Sequence, residues 1–189
     1  MQETGDLVRS AAAGDQRSWG ALVERFTGLL WAVARAHRLR DADAADVVQT
    51  TWLNLAQHLG SIREPDRVGA WLATTARREC LRVLNRDRRQ VPTDDEASLQ
   101  PREPPAASTP EDEVLLLERH ALLRAAIQDL PPRYQQLLRV LVADPPPSYE
   151  AVGAALDMPV GSIGPTRARC LELLRRSPRL AGIVPARIP

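Results

Sequence analysis

Residues 148–176, SYEAVGAALDMPVGSIGPTRARCLELLRR, hold two short amphipathic segments separated by three residues, MPV. Ser148 is placed to cap the first segment, Glu150 suits the positive end of its dipole, and Val152, Ala155 and Leu156 supply an inward face. In the second segment Ile163, Cys170, Leu171 and Leu174 fall on one stripe, with Thr166 and Arg169 largely off it. Two short helices joined by a tight turn, the second basic, have the form of a helix-turn-helix. Where the second helix starts is open. With Ser162 as N-cap, Ile163, Gly164 and Pro165 take the first three helical positions, where a missing proline N–H is not needed. With a start near Pro159, Pro165 falls inside the helix and distorts its first turns.

The rest of the chain is helical by the same spacing rule. Leu22, Phe26, Leu29, Leu30 and Val33 recur every three or four residues, as do Val47, Val48, Trp52, Leu55 and Leu59. A third stretch runs from Val68 through Trp71, Leu72, Thr75 and Leu81 to Leu84, after a loop, GSIREPDR, broken by Gly60 and Pro65. Leu116, Leu123, Ile127 and Leu130 mark another helix; DLPPRYQQLL stops it and starts the next with proline in the first turn. No useful length alternates with period two, so the fold class is all-α: two small helical domains.

Residues 91–112, VPTDDEASLQPREPPAASTPED, separate the domains. They contain five prolines and almost no large apolar side chain, the composition of a flexible, solvated tether. Their net charge is −5, against +3 for residues 1–90 and +3 for residues 113–189. There is no lysine, so every basic group is a guanidinium, suited to forked contacts with phosphate or guanine.

Other classes find little support. Apolar runs stay short of the roughly 18 residues of a membrane span, and MQETGDLVRS lacks the plan of a signal peptide, so a soluble, cytoplasmic protein without membrane insertion is expected. Cys80 and Cys170 form no zinc spacing and are expected as reduced thiols. His37, His58 and His120 sit singly, so no catalytic residue, metal or cofactor is expected. DADAAD lacks the glycine and terminal glutamate of a calcium loop.

LPPRYQQLLRVLV together with residues 148–176 resembles region 4 of the extracytoplasmic-function (ECF) group of bacterial sigma factors. AAAGDQRSWGALVERF, DADAADVVQTTWLNL and AWLATTARRECLRVLNRDRR resemble region 2 of the same family, in the right order. The resemblance implies region 2 over 1–90, for core polymerase and the −10 element; a linker over 91–112; region 4 over 113–178, for the −35 element; and a tail over 179–189. Its partners would be core RNA polymerase, promoter DNA and an anti-sigma factor, with a monomer when free.

The resemblance also assigns residues. Asp43, Asp46, Gln49 and Thr50 would face a helical coiled coil of the polymerase, although the family often has acids where Ala45 and Thr50 stand, which predicts a weaker patch here. Ser61, Ile62 and Arg63 belong to the loop that receives a flipped base, where a pocket offsets the few kcal/mol of unstacking. Arg77, Arg78, Arg82, Arg86, Arg88 and Arg89 would meet −10 DNA, and Trp71 is expected in the core. Ser162, Gly164, Pro165, Thr166, Arg167 and Arg169 match the −35 helix. The family commonly has a basic residue at 164 and arginine at 166, so the base readers do not transfer cleanly; Thr166, Arg167 and Arg169 are the candidates.

Overall fold

The computed structural model describes residues 3–87 and 110–181, and these are helical, with no strand among them. In order they form α1 (Thr4–Ala12), α2 (Gln16–Ala36), α3 (Asp41–His58), α4 (Val68–Asp87), α5 (Pro110–Gln128), α6 (Pro132–Leu141), α7 (Tyr149–Leu156) and α8 (Val160–Arg175). The all-α expectation holds. Single 3₁₀ turns at Leu59–Ser61 and Pro65–Arg67 shape the loop before α4, and a third covers Pro178–Leu180.

Two compact units are formed, Met1–Ser98 with Gln136–Ile163, and Leu99–Gln135 with Gly164–Pro189. The first unit thus takes in α7 as well as α1–α4. Its core is built from Leu22, Leu30 and Val33 of α2, Val47 and Leu55 of α3, and Val68 and Leu72 of α4, all buried. Each such side chain contributes about 1.5–3 kcal/mol by leaving water. α1 precedes the first periodic stretch of the sequence and adds Leu7 and Val8 to this core. Its N-terminus is held from a distance, Gly5 N donating to Asp66 Oδ1 at 3.1 Å.

Local chemistry sets the helix ends. Asp15 caps α2, accepting from Arg17 N at 3.2 Å and Ser18 N at 3.1 Å, and these bonds with the Ser18 hydroxyl hold its carboxyl below the usual range. α2 ends at Arg38, in the left-handed region at φ 57°, with Leu39 N donating back to Ala34 O at 3.4 Å. Ser148 caps α7 as the sequence predicts, accepting from Ala151 N at 3.2 Å. α7 ends at Asp157, also at φ 57°, and Met158 N reaches back to Gly153 O at 3.0 Å. The chain doubles back so tightly that a β-carbon on Gly153 would lie 2.7 Å from Met158 O.

In the second unit, Gln135 donates through Nε2 to Gln128 O at 2.9 Å and Leu130 O at 2.8 Å, satisfying carbonyls where α5 ends. Arg179 Nε meets Asp129 Oδ2 at 2.6 Å, and Leu180 is buried.

Of the two starts the sequence leaves open for α8, the structure takes the earlier: α8 begins at Val160, the Ser162 hydroxyl donates to Pro159 O at 2.7 Å, and Pro165 stands inside the helix. Two expectations need correction. Leu81 and Leu171, assigned inward, are exposed, and α4 buries Ala76 and Cys80 instead. Trp71 is only half-buried.

Candidate nucleic-acid interface

α4 carries four of the six arginines expected at −10 DNA, Arg77, Arg78, Arg82 and Arg86; Arg88 and Arg89 lie outside the described residues, as does most of the 91–112 segment. At 100° per residue these four positions cannot share one face. The helix proper spreads Arg77, Arg78, Arg82 and Arg86 over half its circumference, and their partners mark the spread. Arg77 Nη2 meets Asp157 Oδ2 of α7 at 2.7 Å. On the opposite flank Arg86 Nη2 meets Asp43 Oδ1 of α3 at 3.3 Å. Arg78 and Arg82 point outward between these flanks, with Leu81 and Asn85, and all four are exposed. Arg82 leans on Glu79 at 2.6 Å; among the described residues Arg78 has no carboxylate partner.

Beside α4 lies an open cleft of about 510 Å³, lined by Ser61, Ile62, Arg63, Arg67, Trp71 and Thr74, among others. Three of these are the residues the sequence picks for a flipped base. Trp71, expected in the core, presents part of its ring here, with the His58 ring centroid 6.4 Å away. Arg67 was not singled out by the sequence. It is gripped by Glu150 of α7, Nε to Oε2 at 3.2 Å and Nη2 to Oε1 at 3.0 Å, and by Glu64 at 3.0 Å. The two carboxylates raise the Arg67 pKa, and Arg67 holds the Glu150 carboxyl below its usual range.

α3 offers a separate polar face. Asp46, Gln49 and Thr50 are exposed within 100° of arc, and Leu53, 56% exposed, continues the same line. Leu53 was legible in the sequence, seven residues after Asp46 and four after Gln49, but not selected. Asp43 is different: its side chain is 14% exposed, locked between Arg40 and Arg86. The structure therefore groups Asp46, Gln49 and Thr50, and sets Asp43 apart.

In α8, Arg167 and Arg169 are exposed and have no ion pair among the described residues. Pro165 is exposed, while Gly164 and Thr166 are half-buried. The missing N–H of Pro165 leaves Gly161 O without its helical donor.

With these faces described, comparison with known proteins is informative. A family model, Sigma-70 region 2, matches residues 22–90, the span that contains both the α3 face and the α4 arginines. Residues 22–90 are thus similar to sigma-70 region 2. The matched span takes in the cleft and ends before α7 and α8, which lie outside it. A solved structure of CnrH in complex with the cytosolic domain of CnrY has a similar fold, with a TM-score of 0.55 and 22% identity, covering 92% of this chain and 96% of that chain. No curated protein matches the chain significantly in sequence.

Cys80 is a buried free thiol whose pKa burial pushes up to about 12. No group of three or more metal-ligating side chains occurs among the described residues, and none of their helices is long and apolar enough to cross a membrane.

Proposed function

We propose that this chain is an ECF sigma factor, a transcription regulator rather than an enzyme, that binds core RNA polymerase and directs it to promoters. The observation that carries this reading is the separation of two faces on one region 2. The polar α3 face of Asp46, Gln49, Thr50 and Leu53 suits a protein partner, and the guanidiniums of α4 with the adjoining cleft suit DNA. A repressor that ignores polymerase needs only the second.

On this reading residues 1–90 serve polymerase and the −10 element, and residues 113–178 serve the −35 element. Phosphate attraction supplies affinity, through Arg63, Arg78 and Arg82, and the cleft accepts an unstacked base with Trp71 as a stacking wall. In α8, Arg169 and Arg167 are the exposed cations and Thr166 the neutral contact. The protein works in the cytoplasm, where the polymerase and DNA are, and is a monomer when free. CnrH is solved with the cytosolic domain of CnrY bound; that complex supports control of this chain by a protein partner of anti-sigma type.

The test is gel filtration of the full chain with core RNA polymerase. Co-elution is expected, and separate elution at moderate salt would remove the polymerase half of the proposal.

A further inference from the structure

Two guanidiniums beside the proposed −10 surface are occupied by carboxylates from one helix. Arg67, on the cleft, is gripped by both oxygens of Glu150 at 3.2 and 3.0 Å, and Arg77, on α4, meets Asp157 at 2.7 Å. Glu150 and Asp157 are seven residues apart, so both project from the same side of α7. Arg67, just before α4, pairs with Glu150 near the start of α7, and Arg77, midway along α4, pairs with Asp157 at the end of α7, so the helices run side by side in parallel.

A carboxylate offers a guanidinium the same pair of anionic oxygens that a phosphate does. We propose that α7 is a built-in mask: in the free chain its two carboxylates take the guanidiniums that DNA phosphates take in the bound one. This rests on the reading of α4 and its cleft as a DNA surface. α7 is seated by its apolar side, where Ala151, Val152 and Ala155 are buried. The ion pairs at its two ends, one of them with a partly buried Arg77, each add modestly to that seating and weaken with salt. Because α7 is also the first helix of the helix-turn-helix, one displacement uncovers the cleft and frees α7 for its own DNA contact.

Local details fit a displaceable element. Asp157 tolerates the left-handed conformation that ends α7, and Ser148 caps its start, so the helix carries its own end chemistry wherever it docks. Arg63, Arg78 and Arg82 stay uncovered, which leaves a weaker DNA surface in the closed chain rather than none.

The experiment uses the full chain, with Glu150→Gln and Asp157→Asn singly and together, both near-isosteric and the second still suited to φ 57°. A control pair, Glu3→Gln with Asp6→Asn on α1, makes the same change in net charge. Binding of fluorescein-labelled mixed-sequence DNA, single- and double-stranded, is read by anisotropy at low salt, and backbone hydrogen exchange of α4 and α7 is measured without DNA. The proposal predicts that the double variant binds DNA about tenfold more tightly than wild type, that the control pair changes affinity by less than about twofold, and that exchange accelerates in α7 while α2 and α3 stay protected. An equal gain in the control pair, or equal binding and equal exchange in wild type and double variant, overturns the mask and leaves the DNA reading standing. Absence of DNA binding by every variant overturns the mask together with the reading of α4.

Discussion

The Asp43 carboxylate joins two helices: its Oδ1 accepts from Arg86 Nη2 of α4 and its Oδ2 from Arg40 Nε, each at 3.3 Å. This pairing draws an acid away from the exposed face of α3 and an arginine away from the outer face of α4. Asp43 is thus a strut between faces, and on the proposed reading Asp46, which is exposed, is the acid left for a partner. Asp46→Arg is expected to weaken core polymerase binding by several kcal/mol, because it places like charge against a basic partner. Asp43→Asn is expected to leave that affinity within about twofold, since a side chain locked inside the protein meets no partner. A titration of labelled chain with core polymerase checks both; equal losses would return Asp43 to the interface.

On the proposed reading, the outward guanidiniums of α4 carry the DNA contact. Arg78→Ala is expected to weaken −10 strand binding and to reduce the slope of log affinity against log salt by about 1. Arg86→Ala, whose side chain serves Asp43, is expected to change the slope far less. Anisotropy across a salt series separates them, and equal slopes for all three proteins would place the DNA elsewhere.

Arg169 is exposed on α8 and lies off the line of buried Ile163 and Cys170. Arg169→Ala is expected to cost about 1–3 kcal/mol of −35 affinity with little change in melting temperature. An even loss over unrelated sequences would make Arg169 a phosphate anchor instead of a reader, and full affinity would take α8 off the DNA.

Burial holds the His37 imidazole below its ordinary 6.5, with Arg77 adding to the effect, while its hydrogen bond with Val33 O pulls the other way. In the window below 6.5 the unfolded chain takes up a proton that the folded chain refuses. Stability therefore rises with pH through that window and is lost as pH falls. Wild type is expected to melt lower at pH 5.5 than at 7.5 by a margin that shrinks in His37→Gln. The same margin in both proteins would show that His37 does not report on folding.

The helices were legible because buried leucines and valines recur at helical spacing, and the Ser148 cap and the Pro132 start of α6 because their chemistry is local. The start of α8 was not. Proline's preference for a first turn argued for Ser162 as cap, but the turn closed by Met158 N on Gly153 O delivers the chain into helix at Val160. Burial of Ile163 then outweighs the cost of Pro165 inside. The partners of the arginines were illegible for a simpler reason. Arg67–Glu150 and Arg77–Asp157 span 83 and 80 residues, and Arg86–Asp43 spans 43, so no local spacing announces them. Leu53 and Trp71 show the converse: their helical phase was readable, and only packing decides how much of each reaches solvent.

Promoter-directed run-off transcription by core RNA polymerase supplemented with the full chain tests the central claim most directly. A transcript of defined start, dependent on the chain and on an ECF-type promoter and lost in Asp46→Arg, is the result expected of a sigma factor. Binding to that promoter without any chain-dependent transcript, at salt where polymerase is active, would contradict it and make the protein a DNA-binding regulator that works without polymerase.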